Sequence, residues 1–295
     1  MRMLAIAAVT SAALLQGVPP VVAAQSPARA DPSPGTDRWI AASLAERIAA
    51  DRHRSFADRR RGLVDDIRKR VREADPTVDD ARLEGVLSVI GAIPRERFVV
   101  HEAKQLAYLP TPLNIGYGQT ISDAYIVAIM TAELRLPANA EVLDVGTGSG
   151  YQAAVLSVMT RRVSSIEIVK PLADDAARRL RRLGYGNVEV RAGDGFAGWP
   201  EHAPFDGIVV AAGAARVPQP LIDQLKQGGR LVMPIGPTGA REQLLVITKG
   251  PDGEVTRCSL GWTLFVPLTG AGERRPGNRG LMDQTTPRCH AADLT

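Results

Sequence analysis

From Glu141 onward, apolar runs alternate with stretches of helical periodicity, and this alternation constrains the fold more than any other feature of the chain. Val142–Val145, Val163–Ile168, Val188–Ala192 and Gly207–Val210 read as strands, and Tyr151–Met159, Pro171–Leu183 and Pro218–Leu225 read as helices. Arg230–Pro234, Gln243–Thr248 and Thr263–Leu268 continue the series of strands. Strands that alternate with helices pair in parallel and are covered by those helices, so the expected fold is α/β with a doubly wound, mostly parallel sheet.

The segment before Glu141 has a different character. Between Arg38 and Glu73 the pattern is helical, with Leu63, Val64, Ile67 and Val71 on one face and charged residues elsewhere. Arg59, Arg60 and Arg61 read as part of that solvated face. Val78–Ile93 reads as a second helix, ended by Pro94. Met1–Ala24 has a basic start, an apolar stretch and small residues at Val22-Ala23-Ala24, the pattern of a cleaved signal peptide. Gln16, Gly17 and the Pro19-Pro20 pair interrupt the apolar run, which argues against a stable membrane span. The expected organisation is a signal peptide over 1–24, a linker and N-terminal helical extension over 25–58, one catalytic-size domain over 59–270, and a flexible Gly-, Arg- and Pro-rich tail over 271–295.

The chain's 295 residues can bury a substantial core without staples. A formal net charge of +4 is too small to argue for a nucleic-acid partner. There are two cysteines, Cys258 and Cys289, which cannot by themselves build a zinc site. In an exported chain they suggest a disulfide, and two unrelated thiols remain the alternative, because sequence supplies no Cα separation.

The chemistry concentrates where the first strand of the series meets its helix. Asp144 ends the strand, and Gly146, Gly148 and Gly150 follow as G-x-G-x-G. Glycine permits a sharp turn and a close ligand approach. The next strand ends near Glu167, a carboxylate able to accept hydrogen bonds from two ribose hydroxyls, and the third leads into Asp194 and Gly195. Strand ends at a switch point are where such sheets hold ligands. A nicotinamide dinucleotide is the competing cofactor, disfavoured by the G-x-G-x-G spacing.

This succession resembles the class I S-adenosylmethionine-dependent methyltransferases, which implies a Rossmann-like methyltransferase fold and S-adenosyl-L-methionine as cofactor. The resemblance implies that Asp144, Gly146, Gly148, Gly150, Glu167, Asp194 and Gly195 form the cofactor side of the site, with Glu167 on the ribose and Asp194 near the adenine. The upstream stretch Ile115-Gly116-Tyr117-Gly118-Gln119-Thr120-Ile121-Ser122, with Pro94-Arg95, Phe98-Val99, "PQPLIDQLKQGGRLVMPIG" and "FVPLTG", narrows the likeness. Together these segments resemble the protein-L-isoaspartate (D-aspartate) O-methyltransferases. That likeness implies a methyl transfer to the free carboxylate of isoaspartyl residues in damaged proteins or peptides. It implies Ser122 as the active-site residue, with Gln119, Thr120, Ile121 and Thr269 close to the cofactor.

A carboxylate is already ionised at neutral pH, so such a reaction needs alignment rather than a general base. No role is therefore expected for His53, His101, His202 or His290. No metal is expected. One departure stands out: Asp123-Ala124 follows Ser122 where the family usually carries a proline near Ala124, and a carboxylate at Asp123 threatens to repel an anionic substrate. Another carboxyl or small-molecule methyltransferase and a non-catalytic S-adenosylmethionine-binding protein are the alternative functions. The expected state is a monomer in the periplasm or secreted, or cytoplasmic as for the family if the signal is not functional.

Overall fold

The computed structural model describes residues 48–49, 51, 53–74, 80–237, 241–271 and 286–289. The expected signal segment and linker, most of the expected tail, and His290 lie outside them.

Helix α1 (Phe56–Ala74) buries Leu63, Ile67 and Val71, the face that the apolar spacing marks. It packs beside α2 (Asp80–Ala92), and a short hairpin follows, β1 (Leu113–Gly116) with β2 (Gln119–Ile121). Helix α3 (Ala124–Glu133) leads into the alternating series: β3 (Glu141–Val145), α4 (Tyr151–Met159), β4 (Arg162–Glu167), α5 (Lys170–Arg182), β5 (Val188–Ala192), β6 (Phe205–Val210), α6 (Gln219–Asp223), β7 (Leu225–Ile235), β8 (Glu242–Lys249) and β9 (Val255–Thr263).

The seven later strands form one sheet in the order β5-β4-β3-β6-β7-β8-β9. Pairing is parallel from β5 to β7 and antiparallel at β7–β8 and β8–β9. The chain runs outward from β3 to β5, then returns to the other side of β3 as β6, so the order reverses between β3 and β6. In register, Val145 lies opposite Ile166 on β4 and Val210 on β6, which brings three strand ends to one height.

Successive residues of a strand face opposite sides of the sheet. Val142, Val163, Val209, Val232 and Val246 face the layer formed by α1–α5, and Leu143, Val145, Ile208, Val210, Leu231 and Met233 face the layer that includes Trp199 and Leu221 of α6. All of these strand residues are at most 1% exposed, so the centre of the sheet is closed on both faces.

Four expectations need correction. The strand expected at Thr263–Leu268 is β9, Val255–Thr263, and between Leu264 and Leu268 there is an isolated bridge, Gly213 with Pro267, in place of a strand. Most of β9 is exposed or half-buried, so it carries little apolar pattern, and Pro267 lacks the N–H a continuing ladder would need. The hairpin β1–β2 has no counterpart among the expected strands. The boundary expected at Arg59 cuts through α1, which is continuous from Phe56. Finally, the expected loose tail is tied down at residues 286–289. A disulfide joins Cys258 to Cys289, with Cα atoms 4.9 Å apart. Ser259 N–H donates to the Pro287 carbonyl at 2.8 Å, and Cys289 N–H donates to the Ser259 carbonyl at 3.1 Å.

Candidate functional site

The reversal of strand order opens a cavity at the carboxyl ends of β3, β4 and β6, where open α/β sheets hold ligands. Its empty volume, open mouth included, is about 850 Å³. Three segments meet there. The first is the glycine turn after β3, in which Gly146, Gly148 and Gly150 all have positive φ. The second is β2 with the residue that follows it. The third is Val266–Thr269, which runs beside Ala211 and Ala212.

Of the residues singled out in the sequence, Gln119, Thr120, Ile121, Ser122, Gly146, Gly148, Glu167, Gly195 and Thr269 line this cavity. Asp144, Gly150 and Asp194 do not. Asp144 shares the α-helical face of β3 with Val142, so its carboxylate is driven under the helices. There Oδ2 accepts from Ser165 Oγ at 2.7 Å, and Thr147 Oγ1 lies 2.5 Å from that same Ser165 hydroxyl. Oδ1 has no partner. Burial pushes the Asp144 carboxyl up to about 7, the Ser165 hydrogen bond opposing and the neighbouring Glu167 charge adding to it. Gly150 faces Leu180 of α5 instead of the cavity. Asp194 is a turn-former: Oδ1 accepts from Phe196 N–H at 2.9 Å and Oδ2 from Ala271 N–H at 2.8 Å.

Glu167 is the acid that reaches the site. It is only 6% exposed, and its oxygens accept from Gly148 N–H at 2.8 Å and Val169 N–H at 2.9 Å. A carboxylate offers roughly four lone-pair positions, so two remain for hydroxyl donors. Beside it, Val145, Ile166 and Leu268 supply an apolar wall, and Thr147 and Gln152 supply polar groups. An apolar wall next to a free carboxylate edge and a left-handed glycine turn fits a nucleoside with a polar tail, so the residues present suit S-adenosyl-L-methionine.

Ser122 also lines a narrower cleft with Thr120, Asp123, Ile126 and Thr263–Val266. Its hydroxyl has no hydrogen-bond partner among the described residues, and its carbonyl accepts from Arg95 Nη2 at 2.7 Å. The cap of α3 is Asp123, whose Oδ1 accepts from Tyr125 N–H at 3.0 Å, so Ser122 is not spent on capping. The third segment is anchored from behind. Glu242, 0% exposed, accepts from Phe265 N–H at 2.9 Å, and burial pushes its carboxyl up to about 7. Sequence reasoning missed this anchor, and it missed Met130, Tyr151, Gln152, Ala211 and Ala212 as lining residues. Only the "FVPLTG" likeness pointed toward the third segment. Among the described residues no histidine lines the cavity. His202 instead stacks on Trp199 at 4.2 Å and contacts Ser164 Oγ at 2.8 Å.

Residues 77–273 match the family described as Protein-L-isoaspartate(D-aspartate) O-methyltransferase (PCMT). The chain is similar to "Protein-L-isoaspartate O-methyltransferase 2" of Syntrophobacter fumaroxidans, 49% identical over 210 residues, which is 71% of this chain and 84% of the relative. It is 48% identical over 209 residues to the protein of the same name from a Polaromonas species, covering 70% of this chain and 99% of that one. Among solved structures, a protein-L-isoaspartate O-methyltransferase superposes with a TM-score of 0.62 at 28% identity, over 72% of this chain and 66% of its own. A putative Plasmodium falciparum member of that group, in complex with S-adenosyl-L-homocysteine, shares the fold with a TM-score of 0.58 at 23% identity, over 71% of this chain and 98% of its own.

Proposed function

Because the chain belongs to the protein-L-isoaspartate(D-aspartate) O-methyltransferase family, it is an S-adenosylmethionine-dependent enzyme that esterifies isoaspartyl carboxylates, and we propose that Ser122 orients the accepting carboxylate. The observation that carries this reading is the convergence of the family-specific stretch Gln119–Ser122 and the Gly146–Glu167 region on one cavity.

The cofactor supplies a methyl group on a sulfonium cation. The chain's residues do the rest. Glu167, Gly146, Gly148 and Gly195 hold the nucleoside and its tail, with Thr120, Ile121 and Thr269 closing around it. Ile121, Val127 and Met130 keep water from the reacting atoms. The Ser122 hydroxyl, with no acceptor to satisfy among the described residues, donates to the substrate carboxylate and aims its second oxygen at the methyl carbon. Aligning an already ionised nucleophile is the protein's main contribution to the rate.

The test compares an isoaspartyl peptide with its normal aspartyl twin. Wild-type protein esterifies only the first. Ser122→Ala lowers that rate by about one to three orders of magnitude, the range for a lost orienting or electrostatic contact. Its thermal stability and cofactor affinity stay near wild type, since the hydroxyl caps no helix. Normal turnover in Ser122→Ala removes the serine from the chemistry. Equal turnover of both peptides points to a broader carboxyl methyltransferase, and none of either to a binding protein.

We also propose export of the chain, with Met1–Ala24 removed, and a monomeric state. The Cys258–Cys289 bond suits an oxidising compartment. The coverage of β9 by residues 286–289 leaves less open sheet edge for pairing with a second copy.

A further inference from the structure

Asp123 is the feature that a carboxylate-binding site should not contain. It follows Ser122 directly and lines the same narrow cleft as Thr120 and Ser122. A substrate carboxylate seated at Ser122 would meet a second negative charge within a few ångströms. Helix capping explains a polar residue at this position but not its charge, because Asn or Ser would cap α3 as well.

The charge has a partner 53 residues away. Arg70, on α1, donates from Nη2 to Asp123 Oδ2 at 2.9 Å, and its guanidinium lies over the Tyr125 ring with Cζ 4.2 Å from the centroid. Asp66 on α1 lies 3.8 Å from its other terminal nitrogen. Asp123 is 7% exposed, with Oδ1 accepting from Tyr125 N–H and Oδ2 from Arg70. Its oxygens are thereby turned toward α1 and the first turn of α3. Helix α1 precedes residue 77, where the family match begins, so the partner comes from outside the matched segment.

We propose that Arg70 is a positioning residue that masks the Asp123 charge, allowing an anionic substrate to occupy the cleft beside Ser122. The inference rests on the reading of Ser122 as the carboxylate-orienting residue. The planar guanidinium suits this role, since its fork pairs with the carboxylate while its face rests on Tyr125, which a lysine cannot reproduce. Charge alone should nevertheless keep most of the masking.

The experiment is a double-mutant cycle on the full-length protein with an isoaspartyl peptide. Arg70→Met raises the peptide KM by about tenfold, the size of a like-charge repulsion across several ångströms of partly solvated cleft. The KM for S-adenosylmethionine and kcat change by no more than about twofold, because the effect is confined to substrate charge. In an Asp123→Asn background the same Arg70→Met substitution changes the peptide KM by less than about twofold. If the tenfold rise persists in that background, or appears equally in the cofactor KM, charge masking is overturned and Arg70 only supports the fold. Should Arg70→Met not fold, Arg70→Lys decides: a peptide KM within about threefold of wild type supports masking, and a larger rise overturns it. Turnover by wild-type protein and its loss in Ser122→Ala test the underlying reading separately, so a failed cycle on an active enzyme counts against Arg70 alone.

Discussion

Glu167 and Asp144 show why neighbouring acids on one motif end in different places. Glu167 is the last residue of β4, on the same face as Ser165 and two residues nearer the cavity, and its carboxylate reaches the cavity while holding Gly148 and Val169 N–H groups. Asp144 lies inside β3, and alternation sends it under the helices. Glu167→Ala therefore removes both the proposed ribose acceptor and the brace on the glycine turn. Losing charged hydrogen bonds is worth on the order of 1.5–3 kcal/mol, so cofactor affinity falls roughly ten- to a hundredfold. Titration calorimetry on the variant checks this, and an unchanged affinity takes Glu167 out of the site. Both acids stood out in the sequence as residues at strand ends. Their separate fates did not, since the two share a face and only the register between β3 and β4 sets which one stands nearer the cavity.

At the scale of elements, the glycine turn is a packing device as much as a ligand loop. Gly150 has φ +86°, and a Cβ built there would sit 3.1 Å from Leu180 Cδ1 of α5. Gly150→Ala forces a left-handed conformation on an L-residue and pushes α5, which costs about 1–2 kcal/mol. Denaturant unfolding measures the loss. Cofactor affinity stays within about threefold of wild type, because the site lies on the other side of the turn. A large drop in affinity with unchanged stability would return Gly150 to the ligand loop. The central strands were legible because their apolar runs are nearly unbroken. The hairpin β1–β2 and the edge strand β9 were not, since short or half-exposed strands are stabilised by pairing partners that no local pattern names.

For the whole molecule, the Cys258–Cys289 bond closes a loop of sequence separation 31 that contains Val266–Thr269, the third wall of the cavity. By the chain-entropy argument, replacing both cysteines with serine destabilises the protein by about 3–4 kcal/mol. Unfolding of the double variant beside wild type, each with and without reductant, checks the value. Equal stabilities would mean that the bond does not hold the tail. The sequence by itself determined the sheet type and the place of the glycine turn, because these follow from short-range periodicity and from a contiguous motif, and its likeness to the family pointed to Ser122 and Glu167 as candidates. Only the tertiary structure decided that Cys258 meets Cys289, that Asp194 serves a turn, and that Arg70 pairs with Asp123. Those outcomes depend on strand register and on Cα separations between segments far apart in the chain, and such distances arise only when the helices and sheet pack.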